Sequence, residues 1–187
     1  MKSATCMVAG SSVGFWKDFE RVFGWVDSQD VHHPGCASDA DVLAVNLTGL
    51  YVPHARYLVS LHPEMLGPLR DLRRSLDWNG DGASTPVTIS FRSHPGVDRV
   101  IPKPPQGIGG TSALFAVRVA LTFGYDRVIL AGVPLDDSGR FFDPPGAPHV
   151  WPHAQDRGPW ELAAKAEFGD RVTSCSGWTA ELLGEPE

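Results

Sequence analysis

Apolar residues along this chain fall into short unbroken runs that alternate with longer stretches spaced at helical intervals. Ala4 to Ala9, Val42 to Val45, Tyr57 to Leu61 and Val128 to Ala131 are runs of the first kind and predict buried strands. Val13 to Phe23 is of the second kind: Phe15, Trp16, Phe19, Val22 and Phe23 share one helical face. A helix is predicted from Glu64 to about Leu76, and another through Ala113 to Phe123, capped by Thr111 or Ser112 and broken at Gly124. Trp160 to Phe168 reads as a short helix, Arg171 to Thr173 as a strand, and Ser176 to Leu183 as a final helix or turn. A short strand is predicted near Trp25. Pro86 to Phe91 and Val97 to Ile101, β-prone runs around the Ser93 to Gly96 turn, predict a hairpin or an irregular excursion. Strands alternating with helices give an α/β fold: Rossmann-like, with a mostly parallel sheet and helices on both faces.

That architecture places the polar turns together. In a right-handed βαβ unit a helix starts at the edge where strands end, and the next strand returns to that edge. The loops Gly107 to Ser112 and Gly132 to Asp137 should therefore meet, bringing Gly109, Gly110, Thr111, Ser112, Gly132 and Asp136 to one rim. The Gly10, Ser11, Ser12 turn and the polar ends Asn46, Thr48, Ser60 and His62 belong to the same rim. Unpaired N–H groups and partial positive charge at a helix start suit a phosphate or carboxylate. The same glycines also suit a second purpose, a tight turn that packs helix on sheet.

Composition narrows the picture. A chain of 187 residues, 42% hydrophobic and 20% charged, fits one domain over 1–187, with an irregular loop at about 136–158. A net charge of −6 argues against general nucleic-acid binding. Three scattered cysteines, Cys6, Cys36 and Cys175, support neither a disulfide framework nor a zinc knuckle, and a reducing cytoplasm is the simplest compartment. Neither a signal peptide nor a membrane span is expected. His32, His33 and Cys36 read as a surface loop, and the His149, His153 spacing near Asp143 and Asp136 lies among prolines unsuited to a helix, so no metal is assigned. Trp151 and Trp160 read as anchors of the long loop rather than as stacking partners for a ligand. A homo-oligomer is compatible with this composition without being required by it.

The run Ala120, Leu121, Gly124, Tyr125, Val128, Leu130, Gly132, with Thr111 and Ser112 before it and a histidine-bearing loop after it, resembles the small bacterial sialyltransferases that use CMP-sialic acid. The same signature is similar to the domain family of the archaeal 6-hydroxymethylpterin diphosphokinase. The resemblance is carried by Thr111 to Leu135, with a weaker echo from Ala4 to Pro63. It implies a nucleotide-binding Rossmann-like domain that transfers a group from a CMP-linked sugar co-substrate to a hydroxyl acceptor, with no tightly bound cofactor. Gly10 and Ser11 would lie near the phosphate, Asn46 near ribose or phosphate, and Thr111 and Ser112 near the donor. His153, or else His149, would be the general base, and Arg140 or Arg157 would stabilise the leaving phosphate. The first turn departs from the Asn-Gly-Pro-Ser type, and Phe141 and Phe142 stand where the family places tyrosines. The length leaves little room for a lid. The alternative is a non-catalytic nucleotide-binding accessory protein of the same fold, carried by a mobile element.

Overall fold

A computed structural model describes residues 4–23, 40–52, 54–76, 85–103, 110–144 and 153–187. The predicted strand near Trp25 and the loop of His32, His33 and Cys36 lie outside these residues. One sheet holds seven parallel strands: β1 (Thr5–Ala9), β2 (Asp41–Val45), β3 (Tyr57–Val59), β4 (Val87–Ser90), β5 (Arg99–Val100), β6 (Arg127–Ala131) and β7 (Val172–Ser174). Their spatial order is β5-β4-β3-β2-β1-β6-β7. The helices are α1 (Phe15–Phe23), α2 (Pro63–Ser75), α3 (Ser112–Thr122), α4 (Arg157–Ala163) and α5 (Gly177–Leu183). This is the α/β, Rossmann-like arrangement that the alternating runs predict.

Both faces of the central strands are covered, which is why those strands read as unbroken apolar runs rather than as alternations. Met7, Ala9 and Val42 pack with Phe15, Phe19 and Phe23 of α1, and Ala44 and Leu58 pack with Leu66 of α2. On the opposite face Cys6, Val8, Leu43, Val128 and Leu130 meet Ala113 to Ala120 of α3 and Trp160 and Ala163 of α4. Helix α3 is apolar nearly all round because it lies over the middle of the sheet, where little of its surface reaches water. No helix among the described residues is long and apolar enough to cross a membrane.

Of the hairpin or irregular excursion expected between Pro86 and Ile101, the hairpin is not formed. Instead β4 and β5 pair in parallel, Ile89 opposite Arg99 and Ser90 opposite Val100. Thr88 and Asp98 explain the difference. Asp98 Oδ2 accepts the Thr88 N–H (2.9 Å) and hydroxyl (2.8 Å), while the Asp98 N–H donates to Thr88 Oγ1 (3.0 Å), so the chain is brought back to the start of β4 before it extends again. Close approach of Gly96 to Gly67 of α2 lets the returning loop pass. The helix expected over Trp160 to Phe168 also differs: α4 ends at Ala163 and a π-turn, Ala164–Phe168, completes the stretch.

Sheet order decides where a ligand can sit. From β1 the chain moves outward through β2 to β5, then returns to β6 on the other flank of β1. The connections leaving β1 and β6 diverge, opening a crevice at the carboxyl ends of the strands.

Candidate functional site

A cavity of about 530 Å³ occupies that crevice, a size that suits a small-molecule ligand. Its walls come from the turn after β1 (Gly10, Ser11, Ser12), the ends of β2 and β3 (Asn46, Leu47, Leu61, His62), and the start of α3 (Gly110 to Ala113). The segment after β6 closes it through Gly132, Asp136, Ser138, Arg140 and Phe142, with Asp156 beside them.

The turn after β1 is shaped by crowding. A Cβ on Gly10 would lie 2.3 Å from the carbonyl oxygen of Gly132, and one on Gly132 would lie 2.8 Å from Cβ of Phe15. Two backbones therefore touch at this point, and the Ser12 N–H donates to the Gly132 carbonyl (3.1 Å). Asp18 secures the contact from below. It is only 5% exposed, and its Oδ2 accepts the Gly132 N–H (2.8 Å) and the Ser176 hydroxyl (2.6 Å), tying α1 to the loops after β6 and β7. Asp18 shares a helical face with Phe15 and Phe19, so a polar residue on an apolar stripe was the available signal for it.

Asn46 directly follows β2 with φ of 52°, a left-handed conformation that asparagine tolerates better than most residues. Its side chain is oriented by neighbours. The His62 N–H donates to Ser60 Oγ (2.8 Å), and the Ser60 hydroxyl in turn donates to Asn46 Oδ1 (2.6 Å). With the oxygen committed as acceptor, Asn46 Nδ2 is the group left to donate, and it has no acceptor among the described residues. Ser60 is fully buried, whereas Asn46 and His62 at the two ends of the relay reach the surface.

Helix α3 contributes a second set of donors. Thr111 is its cap: Oγ1 accepts the Leu114 N–H (3.2 Å), and the Thr111 carbonyl accepts the Phe115 N–H (3.1 Å). The N–H groups of Ser112 and Ala113 have no acceptor within the helix, as at any helix start. Ser112 is 7% exposed, and its Oγ accepts the Leu61 N–H (3.1 Å), which leaves the hydroxyl proton without an acceptor among the described residues. Gly110, with φ of 141°, takes a backbone conformation that side chains rarely adopt.

The segment after β6 folds back over the β1 turn. Ser12 and Arg140 form an antiparallel bridge, the Val13 N–H donates to the Gly139 carbonyl (2.9 Å), and the Phe141 N–H donates to the Ser11 carbonyl (3.0 Å). Phe141 stacks on Phe15 with ring centres 5.4 Å apart, whereas Phe142 lines the cavity and stacks on Tyr51 at 5.2 Å. The Arg140 guanidinium lies 6.0 Å from the Phe142 ring centre and has no carboxylate within ion-pair distance among the described residues. Arg157 is committed elsewhere. It holds the carbonyl of Leu135 (Nη2, 3.1 Å) and lies over the Trp178 ring.

Of the residues expected at the site, the structure brings together Gly10, Ser11, Ser12, Asn46, Gly110, Thr111, Ser112, Gly132, Asp136 and Arg140 around one cavity. Thr48 is fully buried in the 3-10 turn Asn46–Leu50 and does not line it. Gly109 and His149 lie outside the described residues. His153 opens a second 3-10 turn, His153–Asp156, whose last residue reaches the cavity. Trp160 is fully buried in the core against Phe168, and Trp151 lies outside the described residues. Both described cysteines are buried. Burial, reinforced by the charge of Asp18, pushes the Cys175 thiol up to about 12, and burial raises Cys6 as well, so neither supplies a thiolate near neutral pH. Among the described residues no group of three or more His, Cys, Asp and Glu side chains is placed to hold a metal ion.

No protein-family model, curated protein or solved structure matches the chain.

Proposed function

We propose that the cavity binds the phosphate of a nucleotide and that the protein transfers the group which that nucleotide activates, in the manner of a CMP-sugar-dependent transferase with a hydroxyl acceptor. The observation that carries this reading is the convergence of donors without acceptors: Asn46 Nδ2, the Ser112 hydroxyl and the first N–H groups of α3. An anion is the ligand that such a set complements, and the helix dipole adds to it. Cavity size leaves space beyond a phosphate for the rest of a nucleotide. Cytidine and a transferred sugar enter through the resemblance of Ala120 to Gly132 to the sialyltransferases.

A second reading keeps the nucleotide and drops the chemistry. Phe141 is packed into the aromatic cluster of α1 and Phe142 is stacked on Tyr51, so neither offers the hydroxyl that the resemblance places behind a leaving phosphate. A non-catalytic nucleotide-binding protein of the same fold is the outcome if binding is found without turnover.

Thermal-shift titration with CMP, CDP, UDP, GDP and ATP tests the seat. At a hundred times its dissociation constant a ligand adds about 2.7 kcal/mol of stability. The expected result is selective stabilisation by CMP, with Asn46→Ala weakening it by about 10- to 100-fold, since a hydrogen bond to a charged group contributes about 1.5–3 kcal/mol. Unaltered melting with every nucleotide would reject both readings.

A further inference from the structure

We infer that Asp156 is the catalytic base of the transfer, an assignment that rests on the nucleotide-sugar reading of the cavity. Among the described residues, the titratable side chains lining the cavity, besides Arg140, are His62, Asp136 and Asp156. His62 stands on the β3 flank beside Asn46, next to the phosphate donors, and its Nδ1 lies 3.6 Å from Glu64. Asp136 and Asp156 come from the segment that follows β6, and the inference places the transferred group on their side of the phosphate donors. Asp136 is already engaged, its Oδ1 accepting the Ser138 N–H (2.9 Å).

Asp156 differs. It occupies the residue before α4, a position where aspartate ordinarily caps the helix with its carboxylate, yet its side chain makes no capping hydrogen bond. Its φ and ψ of −87° and −7° continue the preceding 3-10 turn and forgo the extended geometry of a cap. The next residue fixes it in place: Arg157 binds the carbonyl of Leu135 through Nε (3.4 Å) and Nη2 (3.1 Å), holding the start of α4 against the β6 loop. A carboxylate released from capping, anchored by its neighbour and set at the cavity wall is equipped to take a proton.

In the step so assigned, Asp156 accepts the proton of the acceptor hydroxyl. The acceptor oxygen forms a bond to the anomeric carbon of the sugar, the bond from that carbon to the phosphate oxygen breaks, and its electron pair leaves on the phosphate of CMP. With water as acceptor the same step releases free sugar and CMP.

The experiment combines CMP binding with CMP release from CMP-N-acetylneuraminic acid, comparing the unaltered protein with Asp156→Asn, Asp136→Asn and His153→Gln. We expect Asp156→Asn to retain the CMP-induced thermal shift and to lower kcat by about 100-fold or more, with KM changed less than about 3-fold. Several results would overturn the assignment: a kcat for Asp156→Asn within about 3-fold of the unaltered protein, a loss of kcat in His153→Gln as large as the one expected of Asp156→Asn, or CMP binding with no release of CMP from the activated sugar. Failure of CMP to bind at all rejects the underlying reading and this assignment with it.

Discussion

Replacing Gly10 by alanine separates the two purposes that a glycine turn can serve. The added Cβ would stand 2.3 Å from the Gly132 carbonyl oxygen and 2.6 Å from Cγ2 of Val133, about an ångström short of ordinary contact with a backbone atom. Relief requires β1 and the β6 loop to move apart. That movement strains the Ser12 to Gly132 hydrogen bond, 3.1 Å long, and the Gly132 to Asp18 hydrogen bond, 2.8 Å long. Overpacking costs about 1–3 kcal/mol, the neutral hydrogen bond about 0.5–1.5 and the bond to the carboxylate about 1.5–3, giving about 3–7.5 kcal/mol together. Domain stabilities are about 5–15 kcal/mol, so much of the folding free energy is at stake without any ligand. Urea unfolding followed by the fluorescence of the six tryptophans measures it, with an expected fall in midpoint of more than about 1 M. Gly158→Ala is the matched control. Nothing lies within 4 Å of its added Cβ, and alanine in a helix should stabilise by about 0.4–1 kcal/mol. A loss below about 1 kcal/mol in Gly10→Ala would refute the crowding argument and leave ligand approach as the reason for the glycine.

Asp18→Ala removes the acceptor shared by the Gly132 N–H and the Ser176 hydroxyl, and the orphaned donors should lower stability by about 2–4 kcal/mol in the same urea assay. Asp98 links stability to acidity. Partial burial pushes its carboxyl up, but the Thr88 N–H, the Thr88 hydroxyl and Arg70 outweigh burial and hold it below its ordinary value. The stability it adds is complete above the unfolded carboxylate value of about 3.9 and is lost as pH falls through the lower folded value. Midpoints measured from pH 5 to 3 should therefore fall more steeply for the unaltered protein than for Asp98→Asn.

Much of the cavity was legible because parallel topology converts strand order into position. Once β1, β2, β3 and β6 were read from apolar runs, Gly10, Asn46, His62 and Gly132 had to share one edge. Three features were out of reach, each for a physical reason. Thr48 follows Asn46 closely in sequence, but a 3-10 turn rotates it away from the rim and into the interior. The turn at Ser93 to Gly96 carries hairpin chemistry, and only the long-range bonding of Thr88 with Asp98 makes the next strand parallel. Asp156 sits in a proline-rich segment whose periodicity is weak, so neither its turn nor its missing cap could be inferred from spacing.

The central place of β1 in the sheet has a kinetic consequence. Its partner on one flank, β2, follows within the same part of the chain, but β6 on the other flank begins only at Arg127. At a synthesis rate of about 5–20 residues per second, roughly 6–24 s separate the emergence of β1 from that of β6. During that interval β1 is an open edge in a growing sheet, offering Cys6 to Ala9 to any strand that pairs in parallel. Such non-local pairing also raises contact order and slows folding. The segment that follows β6 also supplies a wall of the cavity, so a nascent chain would complete the cavity only after this edge of β1 had been sealed.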